Sequence, residues 1–175
     1  MDATGPFELI EGKVVPQPPA YHPHGRIAAR LNHALNDFVQ QRHLGEVYVG
    51  GIGIWIRRNP DTARAADLAF IAAPRLKDLS PEGYLDLAPD LVVEITPALA
   101  RGASVSPDDR WSEVKKKRRD YFSIHVKLIW VIDPDNRTMS VYRSLTDVRE
   151  LTETDTLTAE DLLPGFTLPV QQLFE

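Results

Sequence analysis

Pro89-Asp90-Leu91-Val92-Val93-Glu94-Ile95-Thr96 is the stretch that decides how this chain reads. It is short, apolar and rich in β-branched residues, the character of a largely buried strand. Upstream, Ala65-Ala66-Asp67-Leu68-Ala69-Phe70-Ile71 has the same character. Each run carries a carboxylate, and a buried charge costs several kcal/mol unless something positive compensates it. Side chains alternate along a strand, so Ala65, Asp67 and Ala69 share one side and Asp90, Val92 and Glu94 another. If the two strands are neighbours, Asp67 and Glu94 converge at one end of a sheet. The plainer alternative is two strand-end acids, exposed or bonded to backbone amides. Asp90 follows Pro89 and reads as a turn residue opening its strand.

Downstream comes a basic helix-like stretch, Arg110 to Tyr121, then an apolar strand, Leu128-Ile129-Trp130-Val131-Ile132. Lys115, Lys116, Lys117, Arg118 and Arg119 cannot share one face at roughly 100° per residue. Trp111, Val114, Tyr121 and Phe122 define the apolar stripe. Lys116 and Arg119 point away from it, Lys115 and Lys117 lie on its flanks, and Arg118 falls inside it. Arg118 must therefore snorkel or find a partner. A flank lysine can reach carboxylates beside the sheet, and Lys117 sits one turn before Tyr121. A merely solvated charged face is the bland reading of the same run.

The rest of the chain fills in around these pieces. Phe7-Glu8-Leu9-Ile10 and Lys13-Val14-Val15, joined by Glu11-Gly12, read as a tight β-hairpin. From His24 to about Arg42, Ile27, Ala28, Leu31, Leu35, Phe38 and Val39 recur at helical spacing. Val47 to Ile56 reads as a strand in which Gly50, Gly51 and Gly53 mark a bulge or close packing, not a phosphate loop. A loop runs from Arg101 to Pro107, where a helix begins. Met139-Ser140-Val141-Tyr142 pairs antiparallel with the Trp130 strand. A strand near Glu150, a turn at Leu163-Pro164-Gly165-Phe166 and a short helix from Val170 to Phe174 close the chain. The order of elements predicts one mixed α/β domain over residues 1–175.

The 175-residue chain suffices for a single core, and with no cysteine, disulfides and thiolate metal sites are excluded. No signal-peptide pattern or membrane-length apolar run is present, so a cytoplasmic location is expected. The formal net charge of −5 argues mildly against nonspecific nucleic-acid binding. His22 and His24 flank Pro23, but two histidines alone make a weak zinc signal. No serine lies in a nucleophile-elbow pattern.

The ordered set Glu11-Gly12, His24-x-x-Ile27-Ala28-x-x-Leu31, Asp67, Pro89 to Ile95, Lys117-x-x-x-Tyr121 and Trp130-Val131-Ile132-Asp133-Pro134 resembles a known bacterial family. It is similar to the Uma-type restriction endonucleases, of the PD-(D/E)XK nuclease superfamily, over nearly the whole chain. The resemblance implies a restriction-endonuclease-like core, a central mixed sheet flanked by helices. It also implies Mg²⁺ held by Asp67 and Glu94, and a motif lysine moved from the Glu94 strand to the following helix, matching Lys117. Glu11 and His24 match positions near that site. Two positions depart from the pattern: Ala66 replaces a proline before the first acid, and Thr96 stands where the superfamily motif has lysine.

The expected activity is metal-dependent hydrolysis of phosphodiester bonds, with DNA the expected substrate. Asp67 and Glu94 would hold Mg²⁺ or Mn²⁺, since hard oxygen ligands without Cys or His disfavour zinc. The Ile95 carbonyl would add a third oxygen. Lys117 would orient water or offset developing charge, Tyr121 would fix the lysine or touch phosphate, and Glu11 would act as an outer acid. A non-enzymatic nucleic-acid-binding or protein-interaction module with the same fold is the alternative. A homodimer is expected by analogy only.

Overall fold

A computed structural model of the chain describes residues 6–97 and 106–175. The hairpin forms as expected: β1 (Phe7–Ile10) pairs with β2 (Lys13–Pro16). Glu11 and Gly12 both adopt positive φ, as a two-residue turn of this kind requires. The helical spacing after it becomes α1 (His22–Gln41), whose Ile27, Leu31, Leu35 and Val39 are buried. Next come β3 (Gly45–Arg57) and β4 (Thr62–Ala72), paired antiparallel along nearly their full length, and a 3₁₀ turn at Ala73–Asp78.

β5 (Leu91–Ile95) is buried throughout and runs antiparallel to β4 and parallel to β6 (Leu128–Asp133). Parallel neighbours need a crossover, and α2 (Pro107–Ser123) lies in the connection. The Ser106 hydroxyl accepts from the Asp109 amide, and Asp108 and Asp109 sit at the positive end of the helix dipole. Of the loop expected from Arg101 to Pro107, all but the last two residues lie outside the described part.

The sheet continues through β7 (Thr138–Tyr142) and β8 (Val148–Leu151), giving the order β2-β1-β4-β5-β6-β7-β8 with β3 also on β4. A small ribbon, β9 (Thr156–Thr158) with β10 (Thr167–Pro169), and a terminal turn of helix α3 (Gln171–Phe174) cover one end. That ribbon is absent from the sequence reading, because its strands are only three residues each.

Two apolar layers flank the sheet. On one face α1 packs on Leu68, Phe70, Leu91, Val93, Ile95 and Trp130. On the other, Val114 and Tyr121 of α2 pack on Ala69, Val92, Ile129 and Val131. The mixed α/β sandwich is the expected one. No helix among the described residues is long and apolar enough to cross a membrane.

Asp90 sits in a bend immediately before β5, as the reading of it as a turn residue opening its strand expects, but that reading does not foresee its burial. It is fully buried, 2.9 Å from Arg75 and 2.8 Å from Lys127, and it accepts from the Ala72 amide. Burial works against its charge, but the amide and the two cations outweigh burial and hold its pKa below the usual aspartate value. It fastens the 3₁₀ turn to the start of β5. Arg118 finds its partner in Tyr142, stacking 4.0 Å over the ring.

Candidate active site

The site begins with a break in the sheet. One edge of β4 is paired along its whole length by β3; the other is shared by β1, at Ala63, and β5, at Leu68 to Phe70. Residues 64–67 lie between those two pairings. Their backbone groups on that edge still need partners, because a buried unpaired N–H or C=O is costly. Side chains supply them. Glu8 accepts from the Ala65 amide at 3.0 Å, and the Lys117 ammonium donates to the Ala65 carbonyl at 2.8 Å. Asp67 in turn accepts from the Ile95 amide at 2.6 Å, where β5 has parted from β4.

Asp67 and Glu94 thus come from adjacent strands at the point where those strands separate, as the period-two reading expects. Glu94 is held from α2: Lys117 donates to one carboxylate oxygen at 2.9 Å and the Tyr121 hydroxyl to the other at 2.6 Å. Burial pushes the Glu94 pKa up to about 7; the charge of Asp67 adds to this, and Lys117 and Tyr121 oppose it. Burial would strip Lys117 of its proton, but Glu94 and Glu8 prevail and raise its pKa. Burial against Glu94 likewise keeps the Tyr121 hydroxyl protonated well above the usual range.

Of the three consecutive lysines of the basic run, Lys117 is the one that touches Glu94. Lys116 is exposed and pairs with Glu113 at 3.2 Å, and Lys115 is exposed. His24, in the first turn of α1, lies with Nε2 3.0 Å from Asp67 Oδ1. Burial disfavours its charged form, but the hydrogen bond and charge of Asp67 win and raise its pKa. His22 is exposed, and among the described residues no three His, Cys, Asp or Glu side chains are grouped to cage a metal.

Glu11 is not brought to the site. It sits at the hairpin tip, its side chain 65% exposed, and pairs with Arg57 at 2.9 Å. Three residues earlier, Glu8 occupies the interior instead: its side chain is fully buried, 3.0 Å from Lys117 and 2.8 Å from Arg64. The sequence carries only part of the signal. An acid within the apolar Phe7–Ile10 strand invites the same argument as Asp67 and Glu94, but the strand is too short and too exposed elsewhere to look buried. Arg64, also overlooked, is buried and bonded to Glu8, Glu113 and Asp120. Burial opposes its charge, and Asp120 and Glu8 hold it protonated.

A glycine pair of β3 stands opposite Asp67 in the ladder. Val49 pairs with Leu68 and Ile52 with Ala66, so Gly50 and Gly51 together oppose Asp67 in a β-bulge. Both have positive φ, and both are exposed with open space where a Cβ would stand. Thr96, where the superfamily motif has lysine, is buried, and its amide donates to Ile132.

The cluster gathers hard carboxylate oxygens, one buried ammonium and a histidine in a gap of the sheet. No curated protein matches the chain. Among solved structures it is similar to "a putative nuclease belonging to DUF820" from Anabaena variabilis, with a TM-score of 0.75 and 21% identity over 96% of this chain and 89% of that one. The family model described as "Uma2: Putative restriction endonuclease" matches residues 2–171, and by that match the chain belongs to the Uma2 family.

Proposed function

We propose that this chain hydrolyses phosphodiester bonds of DNA with Mg²⁺ or Mn²⁺ held by Asp67 and Glu94. The carrying observation is the meeting of these two carboxylates where β4 and β5 part, with the Lys117 ammonium on Glu94. The donor set suits the ion. Asp67 and Glu94 offer hard carboxylate oxygens, while Glu8, Glu113 and Asp120 are taken up by the cations Lys117 and Arg64. Mg²⁺ keeps several waters and needs only one or two carboxylates, so a full protein cage is not required. The Ile95 carbonyl is the further oxygen of this reading.

When bound, such an ion polarises a phosphate and lowers the pKa of an attacking water. The chain's own residues do the rest. Lys117 orients that water or offsets charge developing on the phosphate. Tyr121 fixes the Glu94 rotamer, Glu8 anchors Lys117, and the Ile95 amide and His24 fix the Asp67 carboxylate.

One observation favours a second reading, a nucleic-acid-binding module without turnover: protein groups already engage all four carboxylate oxygens of Asp67 and Glu94. Nicking of supercoiled plasmid in Mg²⁺ or Mn²⁺ separates the two. Cleavage by the wild type that disappears in Asp67→Ala and in Glu94→Ala is the expected result. Plasmid left intact by a wild type that still binds it would transfer support to the module.

A further inference from the structure

Beside the candidate site, between the β1–β2 hairpin and α2, lies a cleft of about 190 Å³. Four of its lining side chains are cations (Arg57, Arg64, Lys116 and Arg119) against two acids, Glu11 and Asp120. In a chain with a net charge of −5 this is a local reversal of sign. We infer that the cleft is a phosphate subsite for the DNA strand, taking the backbone beside the scissile bond. The inference rests on the nuclease reading for the site next door.

The floor and the rim of the cleft differ in how firmly their charges are held. Arg64, the floor, is buried and fixed by Glu8, Glu113 and Asp120, so it neutralises the Asp120 side of the cleft. On the rim, Arg57 pairs with Glu11 and Lys116 with Glu113 as exposed ion pairs. Pairs of that kind are worth about 0–1 kcal/mol, so either cation can exchange its carboxylate for a phosphate at little cost. Arg119 is exposed and has no partner among the described residues. A planar guanidinium suits phosphate oxygens especially well.

The cleft is also wired to the candidate catalytic lysine. One oxygen of Glu8 lies 3.0 Å from Lys117 and the other 2.8 Å from Arg64. A single carboxylate therefore separates the ammonium at the candidate site from the floor of the cleft. A strand with one phosphate at Lys117 has its neighbouring backbone directed along this basic wall.

The test is anisotropy of a fluorescein-labelled DNA duplex, without divalent cation, over about 50 to 200 mM salt, where phosphate contacts dominate the salt dependence. Wild type is compared with Arg119→Ala, Arg57→Ala and Lys115→Ala, the last an exposed cation of the same helix that does not line the cleft. The two cleft variants should bind several-fold more weakly at low salt, and each should lower the slope of log K against log salt by about 1. Lys115→Ala should bind like wild type. Cleft variants that bind like wild type, or Lys115→Ala weakened equally, would overturn the subsite. So would a wild type that binds no DNA. Nothing is cleaved in this assay, so a chain that binds in this pattern yet never nicks plasmid would sink the nuclease reading and with it the place beside a scissile bond, leaving the cleft a contact for DNA phosphate only.

Discussion

Lys117 Nζ lies 2.9 Å from Glu94 Oε2, joining the flank of α2 to the parting end of β5. The ammonium is also 3.0 Å from Glu8 and donates to the Ala65 carbonyl. One side chain thus closes the gap between β1 and β5 along β4. Losing it should cost more than losing any other lysine of the basic run. Lys117→Ala should destabilise the fold by about 3–5 kcal/mol, the scale for breaking a buried pair and stranding its partner. Lys116→Ala should cost well under about 1 kcal/mol, because its partner is exposed. Urea unfolding of the two variants measures the difference.

Glu8 predicts a separation of roles. It touches Lys117 and Arg64 but neither Asp67 nor Glu94, so it is a positioning residue for the lysine. Glu8→Gln keeps the shape and removes the charge. Nicking should fall at least about tenfold, corresponding to about 1.4 kcal/mol of barrier, while Mn²⁺ binding persists. Loss of both together would place Glu8 among the metal ligands instead.

The pH dependence follows from two buried acids with opposite shifts. Glu94 is raised from an ordinary 4.5 to about 7, so the folded chain binds a proton the unfolded chain lacks between those values. Its stabilising contribution is complete below pH 4.5 and is lost as the pH rises through 7. Asp90 is lowered, so its contribution is present above the ordinary aspartate pKa and is lost as the pH falls through the folded value. Melting temperatures across this range should decline less between pH 4.5 and 7 in Glu94→Gln, leaving the near-neutral decline from His24, whose pKa is also raised, and should keep the acid-side decline. Divalent binding, which needs the ionised carboxylate, should strengthen as the pH passes 7.

Gly51 offers a backbone prediction. Its φ of 71° is close to the left-handed region, where a residue with a Cβ costs about 1–2 kcal/mol unless it is Asn or Asp. Gly51→Val should therefore lower the unfolding free energy by about that amount, and Gly51→Asn by less. With open space beside the bulge, Gly51→Asn should fold. Equal melting temperatures for the Val and Asn variants would contradict the conformational argument.

Much of this architecture was legible because burial and period agree in its central elements. α1 announces itself by Ile27, Leu31, Leu35 and Val39, and β5 by an unbroken apolar run. The stripe of α2 singles out Lys117 together with Tyr121. What stayed hidden depends on contacts between distant segments. Nothing local to Glu8 says that β1 reaches β4, so its burial against Arg64 appears only after folding. Asp90 does open β5 from a bend, but its burial shows only once Arg75 and Lys127 close over it. Glu11 shows the converse: its place in the family pattern suggested the site, while the turn it occupies points it to solvent.

The most direct test of the central claim is a Mn²⁺ titration followed by thermal shift, on wild type and on Asp67→Ala/Glu94→Ala. An ion bound to the folded state alone stabilises by about 2.7 kcal/mol at a hundredfold excess over its Kd. The melting temperature of the wild type should therefore rise with Mn²⁺ and that of the double variant should not. Equal shifts in both proteins, or a shift in neither, would contradict a divalent cation held by Asp67 and Glu94.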